Sequence, residues 1–255
     1  FQHILNDPEV ITLLDIFEEK LFLVGGCVRD AILDKKTSDI DFATKFKPNE
    51  VIEILEKNKI KHVDIGIKHG TVTAVINNRK FEITSFRKDL KTDGRHADVD
   101  FSEDMEEDAA RRDFTINAIY LDKSGKFYDF HDGFDDINNR KIRFIGDPEK
   151  RVSEDYLRIM RFFRFSAMMQ LMNDNKNILD IFKNHHKKLD VISNERLWHE
   201  FSGLLKSKNP SNALKEMQEV GILKEHFCNC SITQSFDILI SVETKIKYPI
   251  NHIFR

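Results

Sequence analysis

Apolar positions come in short runs separated by turns in the first half of the chain, and in long stretches at helical spacing in the second. Leu21-Phe22-Leu23-Val24, Ile40-Asp41-Phe42, Thr71-Val72-Thr73-Ala74-Val75-Ile76, Lys80-Phe81-Glu82-Ile83-Thr84, Ile119-Tyr120-Leu121 and Lys126-Phe127-Tyr128 read as strands. Asn77-Asn78 and Ser124-Gly125 separate consecutive runs at hairpin spacing. Between them, Val51, Ile52, Ile54 and Leu55 follow Pro48 at near-helical intervals, which predicts a helix over 48–58 with proline in its first turn. From about residue 147, amphipathic stretches at 153–170, 175–187, 194–206 and 210–219 are broken by Asn, Ser, Pro or Gly. The expected fold class is α+β: a sheet-bearing N-terminal domain followed by an all-α part, joined at roughly 130–150.

Composition narrows the classes. A chain of 255 residues suits roughly two domains. A hydrophobic fraction of 40%, including 21 Phe, fills two cores, which excludes disorder as the main state. Forty basic against 43 acidic residues leave a net charge of −3, so any nucleic-acid contact must use local patches rather than a bulk positive field. Three cysteines, with Cys228 and Cys230 two apart, argue against a disulfide scaffold and for a reducing, cytoplasmic setting. No apolar run reaches the roughly 18 residues that span a bilayer, and residues 1–8 lack a signal-peptide layout, so no membrane partner is expected. The first residue is Phe rather than Met, and the expectation is a segment of a longer protein.

Leu23-Val24-Gly25-Gly26-Cys27-Val28-Arg29-Asp30 reads as a strand, a Gly-Gly turn and a helix start, and Ser38-Asp39-Ile40-Asp41-Phe42 as a second strand. Adjacent glycines let backbone N–H groups approach an anion at a helix start, and Arg29 adds a planar fork for phosphate oxygens. Asp39 and Asp41, spaced i, i+2, point to one face of a strand and can hold a divalent metal for in-line phosphoryl displacement. Either piece alone reads equally as a tight turn or a solvated strand face; together they suit triphosphate chemistry. A dinucleotide fingerprint is disfavoured because G-x-G-x-x-G is absent and a charged Arg29 sits where that helix would pack.

Two arginine clusters follow. Arg111, Arg112, Asp113 and Asn117 stand next to an apolar run, where charge needs partners; as bare residues, salt-bridging to one another is the favoured reading. Downstream, Asp155, Arg158, Arg161 and Arg164 recur every three residues on a helix otherwise covered by Leu157, Ile159, Met160, Phe162, Phe163 and Phe165. This ridge either salt-bridges to the acidic stretch 98–108 or faces an anionic ligand or polar cleft. Otherwise that acidic stretch reads as a solvated face or helix start. His185-His186 and Cys228/Cys230 lack a metal-ligand pattern and read as structural.

Gly25-Gly26-Cys27-Val28-Arg29-Asp30 with Asp39-Ile40-Asp41 resembles the signature of the class II tRNA nucleotidyltransferases and bacterial poly(A) polymerases, in the polymerase-β-like nucleotidyltransferase superfamily. The resemblance covers residues 20–206, with the motifs in family order. It implies a nucleotidyltransferase head with a mixed β-sheet at 1–130, a helical neck that recognises the base at 131–192, and a partial, RNA-binding helical body at 193–255. Asp39 and Asp41 match the catalytic acids that bind Mg²⁺ and activate the primer 3′-hydroxyl; Glu82 is a possible third, with a solvent-facing strand residue the favoured reading. Arg111, Arg112 and Asp113 match the motif that contacts triphosphate and ribose. Glu154-Asp155-Tyr156-Leu157-Arg158 is similar to the family's amino-acid template, in which Asp155 and Arg158 read the Watson–Crick edge of the base, with Arg161 and Arg164 holding phosphates or supporting the template. The polar segment 86–96 resembles the flexible loop of full CCA-adding enzymes, although its composition also suits a solvated hairpin connection. The implied activity is addition of CCA to tRNA 3′ ends from CTP and ATP, with no stable protein partner. Poly(A) polymerase, CC-only or A-only addition and an inactive RNA-binding remnant are the alternatives.

Overall fold

A computed structural model describes residues 1–255 except 38, 93–96, 171–175, 228–233, 247–249, 252 and 254–255. The tip of the polar segment at 93–96 and both Cys228 and Cys230 therefore lie outside the described residues. The chain divides into two compact units, Phe1–Asn138 and Asn139–Arg255.

The first unit runs α1 (Gln2–Leu5), α2 (Pro8–Ile16), β1 (Leu21–Val24), α3 (Gly26–Ile32), β2 (Asp41–Thr44), α4 (Pro48–Lys57), β3 (Lys61–Val63), β4 (Thr71–Ile76), β5 (Arg79–Ser85), β6 (Arg87–Thr92), β7 (Ala97–Phe101), α5 (Met105–Ala110), β8 (Ile119–Leu121), β9 (Phe127–Asp129) and α6 (Gly133–Asn138). Seven strands form one sheet in the order β3-β4-β5-β2-β1-β8-β9, while β6 and β7 pair separately. The sheet is mixed: β2 and β5 pair in parallel and the other neighbours antiparallel.

Local chemistry explains the elements near the site. Asn77 and Asn78 both adopt positive φ (49° and 63°), the backbone a two-residue hairpin needs between β4 and β5. Pro48 opens α4 without losing a bonded N–H, and the Glu50 carboxylate accepts the Lys47 N–H at 2.8 Å. Alternation sends Val72, Ala74, Phe81 and Ile83 to one face of the sheet, where they are buried with Val51 and Leu55 of α4. The polar segment 86–96, expected to be a flexible loop or a solvated hairpin connection, is instead itself strand β6 over Arg87–Thr92, paired with β7.

The second unit is helical: α7 (Pro148–Glu154), α8 (Leu157–Met169), α9 (Lys176–His185), α10 (Asn194–Leu205), α11 (Ser211–Val220), α12 (Ile222–His226) and α13 (Gln234–Ile246). Its core gathers Phe144, Phe162, Phe163 and Phe182, with the Phe162 and Phe182 rings 5.1 Å apart edge to face. The single helix expected at 153–170 is in fact two. Asp155 is extended (φ −152°, ψ 106°) and its carboxylate accepts the Leu157 N–H at 3.0 Å, a local bond that competes with continuing α7.

Candidate active site

Gly25 follows β1, with a φ of +76° and ψ of −130° that suit a residue without Cβ. A Cβ added there would lie 3.7 Å from Arg112 Nη1, so that guanidinium stands over the turn. Gly26 opens α3 with Arg29 Nη2 3.6 Å from where its Cβ would be. Behind the turn, Cys27 is buried and its Sγ lies 3.3 Å from the Val24 carbonyl. Burial pushes the thiol up to about 12, which keeps it protonated and unreactive.

β2 lies next to β1 and begins at Asp41; Asp39 precedes the ladder rather than belonging to it. The expected alternation nonetheless holds, with exposed Asp39 and Asp41 flanking buried Ile40. Across the parallel pairing, Asp41 stands opposite Glu82, itself exposed. Enclosure at the sheet end, then the charges of Glu82 and Asp39, push the Asp41 carboxyl up to about 6, while Arg112 pulls the other way. Glu82 thus belongs with the two aspartates. In the sequence it was indistinguishable from any solvent-facing strand glutamate, because only strand pairing brings it beside Asp41.

The first arginine cluster is organised by Asp108. Arg111 and Arg112 donate to its two oxygens at 2.8 and 3.0 Å, and the Tyr120 hydroxyl donates at 2.6 Å. Burial alone would raise this carboxyl; Arg112, Arg111 and Tyr120 outweigh it and bring it down to about 2. Asp108 is therefore a buried hub and departs from the solvated face expected over 98–108, which holds for exposed Asp100, Glu103, Asp104, Glu106 and Glu107, while the helix start expected there is α5, capped by Asp104. Spacing i, i+3 and i, i+4 from Arg111 and Arg112 was the available signal. Asp113 accepts the Phe114 N–H and the Asn117 side-chain amide, and Asn117 accepts from Arg29 Nη1 at 2.6 Å. Arg29 is buried and also forks onto Asp30, so its fork serves the fold of the turn.

In the second unit, Arg158 donates through Nη1 to the Arg151 carbonyl and to Glu154, at 2.6 and 2.7 Å. Both bonds use one nitrogen and leave the rest of the fork's edge available. Asp155 accepts from Arg196 of α10 at 3.2 Å. Arg161 and Arg164 of α8 pair with the buried Glu200 of α10, at 3.6 and 2.6 Å. The ridge is thus salt-bridged to Glu154 and Glu200 of its own unit. Gly203 makes room for this pairing, since a Cβ there would meet Arg164 Cδ at 2.7 Å.

Residues 21–143 match the model of the poly A polymerase head domain, and residues 175–229 that of a probable RNA and SrmB-binding site of polymerase A. The mitochondrial CCA tRNA nucleotidyltransferase 1 of Danio rerio is 36% identical over 228 residues, covering 87% of this chain and 53% of that protein. The CCA-adding enzyme of Streptococcus gordonii is 42% identical over 186 residues, 72% of this chain and 45% of its own. The chain belongs to the tRNA nucleotidyltransferase and poly(A) polymerase family. It spans about half the length of the curated relatives it matches. The crystal structure of the Bacillus stearothermophilus CCA-adding enzyme in complex with CTP superposes with a TM-score of 0.75 at 32% identity, covering 91% of this chain and 56% of that one.

The chemistry of this family is metal-dependent, and the acids of the first unit fit a hard cation. Asp39, Asp41 and Glu82 offer carboxylate oxygens only; the Asp41 carboxyl is raised first by burial and then by the charges of Glu82 and Asp39, against the pull of Arg112, and a cation would offset those charges. Among the described residues no three His, Cys, Asp or Glu side chains close into a ready cage. Magnesium does not need one, because it keeps waters and binds through one or two carboxylates plus substrate phosphates. Among the described residues no helix is long and apolar enough to cross a membrane.

Proposed function

We propose that this chain catalyses template-independent addition of C, C and A to tRNA 3′ ends from CTP and ATP, with release of pyrophosphate. The observation that carries the reading is the group Asp39, Asp41 and Glu82 at one sheet end, beside a Gly25 turn overlain by Arg112. The 3′-oxygen of the RNA attacks the α-phosphorus, the bond to the β-bridging oxygen breaks, and pyrophosphate leaves with that electron pair. The hydroxyl proton passes to a neighbouring carboxylate or water. Asp39 and Asp41, with Glu82 as a further oxygen donor, would hold Mg²⁺, which when bound would supply stabilisation of the negative charge that develops in the displacement. Gly25, Gly26 and Arg112 seat the triphosphate; Arg29, Arg111 and Asp113 hold that seat through Asn117 and Asp108.

Asp155 and Arg158 read the base. Asp155 accepts from the exocyclic amine of cytosine or adenine, and Arg158 donates to the adjacent ring nitrogen. Uracil and guanine present a carbonyl and a ring N–H at those places, which leaves polar groups unpaired. Arg161 and Arg164, held by Glu200, support this helix. In domain terms, 1–130 is the head, 131–192 the neck and 193–255 part of an RNA-binding body. The compartment we favour is a reducing one such as the cytoplasm, consistent with Cys27 as a free buried thiol.

The deciding experiment supplies tRNA lacking its terminal CCA with labelled CTP and ATP, separately and together, in the presence of Mg²⁺. Completion to CCA only when both nucleotides are present supports the reading. Lengthening A tails without CTP would instead identify a poly(A) polymerase, and no incorporation an RNA-binding remnant.

A further inference from the structure

Arg112 divides its guanidinium between the fold and the glycine turn. Nη1 stands 3.7 Å from where a Gly25 Cβ would be, on the side where the proposed function seats the triphosphate. Nη2 and Nε serve the fold. Nη2 donates to Asp108 Oδ2 at 3.0 Å, and Nε donates to the Tyr120 hydroxyl at 3.1 Å, with the same Asp108 oxygen 3.3 Å away. The Tyr120 hydroxyl in turn donates to Asp108 Oδ2 at 2.6 Å, which closes a ring of three groups. Asp108 alone would give Arg112 two donors converging on one oxygen, a contact that sets a distance but lets the guanidinium swing about that oxygen. A carboxylate orients a guanidinium firmly when two parallel bonds reach two acceptor atoms. Here the tyrosine hydroxyl supplies the second acceptor, and with it the plane of the fork is set.

Tyr120 can set that plane because it is itself held. Its side chain is wholly buried, with the Arg112 guanidinium over its ring at 5.2 Å from the centroid and Phe86 edge to face at 6.1 Å. Strand pairing places Tyr120 opposite Val24, the residue before Gly25, and the Gly25 N–H donates to the neighbouring Ile119 carbonyl at 3.4 Å. The ladder that carries the hydroxyl therefore also carries the turn. Burial raises the hydroxyl above the ordinary range of a phenol, so it keeps the proton it donates. An apolar ring would fill the same space, and a buried hydroxyl is costly unless its bonds are made, so the polar atom has a task beyond packing. We infer that Tyr120 is a positioning residue for the triphosphate: its hydroxyl, anchored on Asp108, aims Arg112 Nη1 at the glycine turn. This inference rests on the nucleotidyltransferase reading and adds to it a residue that acts through Arg112 alone. Because CTP and ATP share the triphosphate, the hydroxyl serves both nucleotides alike and has no part in the choice of base.

Tyr120→Phe removes the hydroxyl and keeps the ring. With Mg²⁺ present, the KM for CTP and for ATP should each rise about fivefold, and the dissociation constant of inorganic triphosphate, read by isothermal titration without turnover, should rise by the same factor. The KM for the acceptor RNA and the preference for CTP over UTP should stay within about twofold of the parent. Tyr128→Phe deletes the hydroxyl of the residue paired with Tyr120 on β9, which donates to Asp122 at 3.0 Å, and should change none of these. In an Arg112→Lys background, where the side chain has no Nε–H to aim, Tyr120→Phe should add no further loss. Unchanged triphosphate affinity in Tyr120→Phe would overturn the inference, as would full additivity with Arg112→Lys. So would a fall in kcat and melting temperature with both nucleotide KM values unaltered, which would assign the hydroxyl to the fold alone. A parent that binds triphosphate but incorporates nothing would defeat the nucleotidyltransferase reading, and the titration would still decide whether Tyr120 acts through Arg112.

Discussion

Glu82 stands opposite Asp41 in the parallel pairing of β5 with β2, both on the side of the sheet away from α4. Two like charges held side by side, with Asp39 close by, oppose folding unless something cationic joins them. Under the proposed function, a cation arriving with a triphosphate would relieve that repulsion.

Asp41→Asn and Glu82→Gln should separate these two effects. Each removes a negative charge from a crowded place, so in metal-free buffer the melting temperature should stay level or rise. Incorporation with Asp41→Asn should fall roughly a thousandfold, corresponding to about 4 kcal/mol of lost transition-state stabilisation. A melting temperature that drops together with activity would mean that these acids serve the fold instead.

Asp108 makes the opposite case, a carboxylate that the fold needs charged. Its carboxyl titrates at about 2 in the folded chain against an ordinary value of 3.8, so its contribution is present above pH 4 and lost as pH falls towards 2. That difference corresponds to about 2 kcal/mol. Asp108→Asn strands Arg111 and Arg112 beside a neutral group and should cost about 3 kcal/mol at pH 7. Urea unfolding of parent and variant as a function of pH should show the two curves converging as pH approaches 2.

Arg158→Ala should loosen base choice more than it slows chemistry. The preference for CTP over UTP, taken as a ratio of kcat/KM, should fall about tenfold or more, because the mismatched base no longer leaves a charged donor unpaired. Competition between the two nucleotides on one acceptor measures this directly, and an unaltered ratio would remove Arg158 from base reading. Arg158→Lys should not restore discrimination, since an ammonium lacks the planar fork.

Elements whose residues bury one another locally were readable from pattern alone. The runs that became β1, β4, β5 and β8, the proline-led α4 and the helices from α8 to α11 follow from side-chain period and capping chemistry. β6 and β7 escaped because their mixed polar sequence shows no apolar face, and α2 escaped although Asp7 and Pro8 form an ordinary helix start, with the Asp7 carboxylate accepting from Glu9 and Val10. The i, i+2 spacing of Asp39 and Asp41 indicated that both are exposed on either side of buried Ile40, because alternation of extended backbone is a local property.

Relationships between distant strands and helices were decided by tertiary structure alone. Nothing in Phe81-Glu82-Ile83 announces that β5 will lie parallel to β2 in the register that sets Glu82 against Asp41. Nothing in α10 announces that Glu200 will be buried under Arg164, or that Gly203 leaves the space for it. Sequence by itself determined which residue types could do phosphoryl chemistry and on what kind of element each would lie. The packing of separate elements determined which charges were matched inside the fold, as Asp108 is, and which were left side by side, as at Asp41 and Glu82, because charge compensation depends on distance in space rather than along the chain.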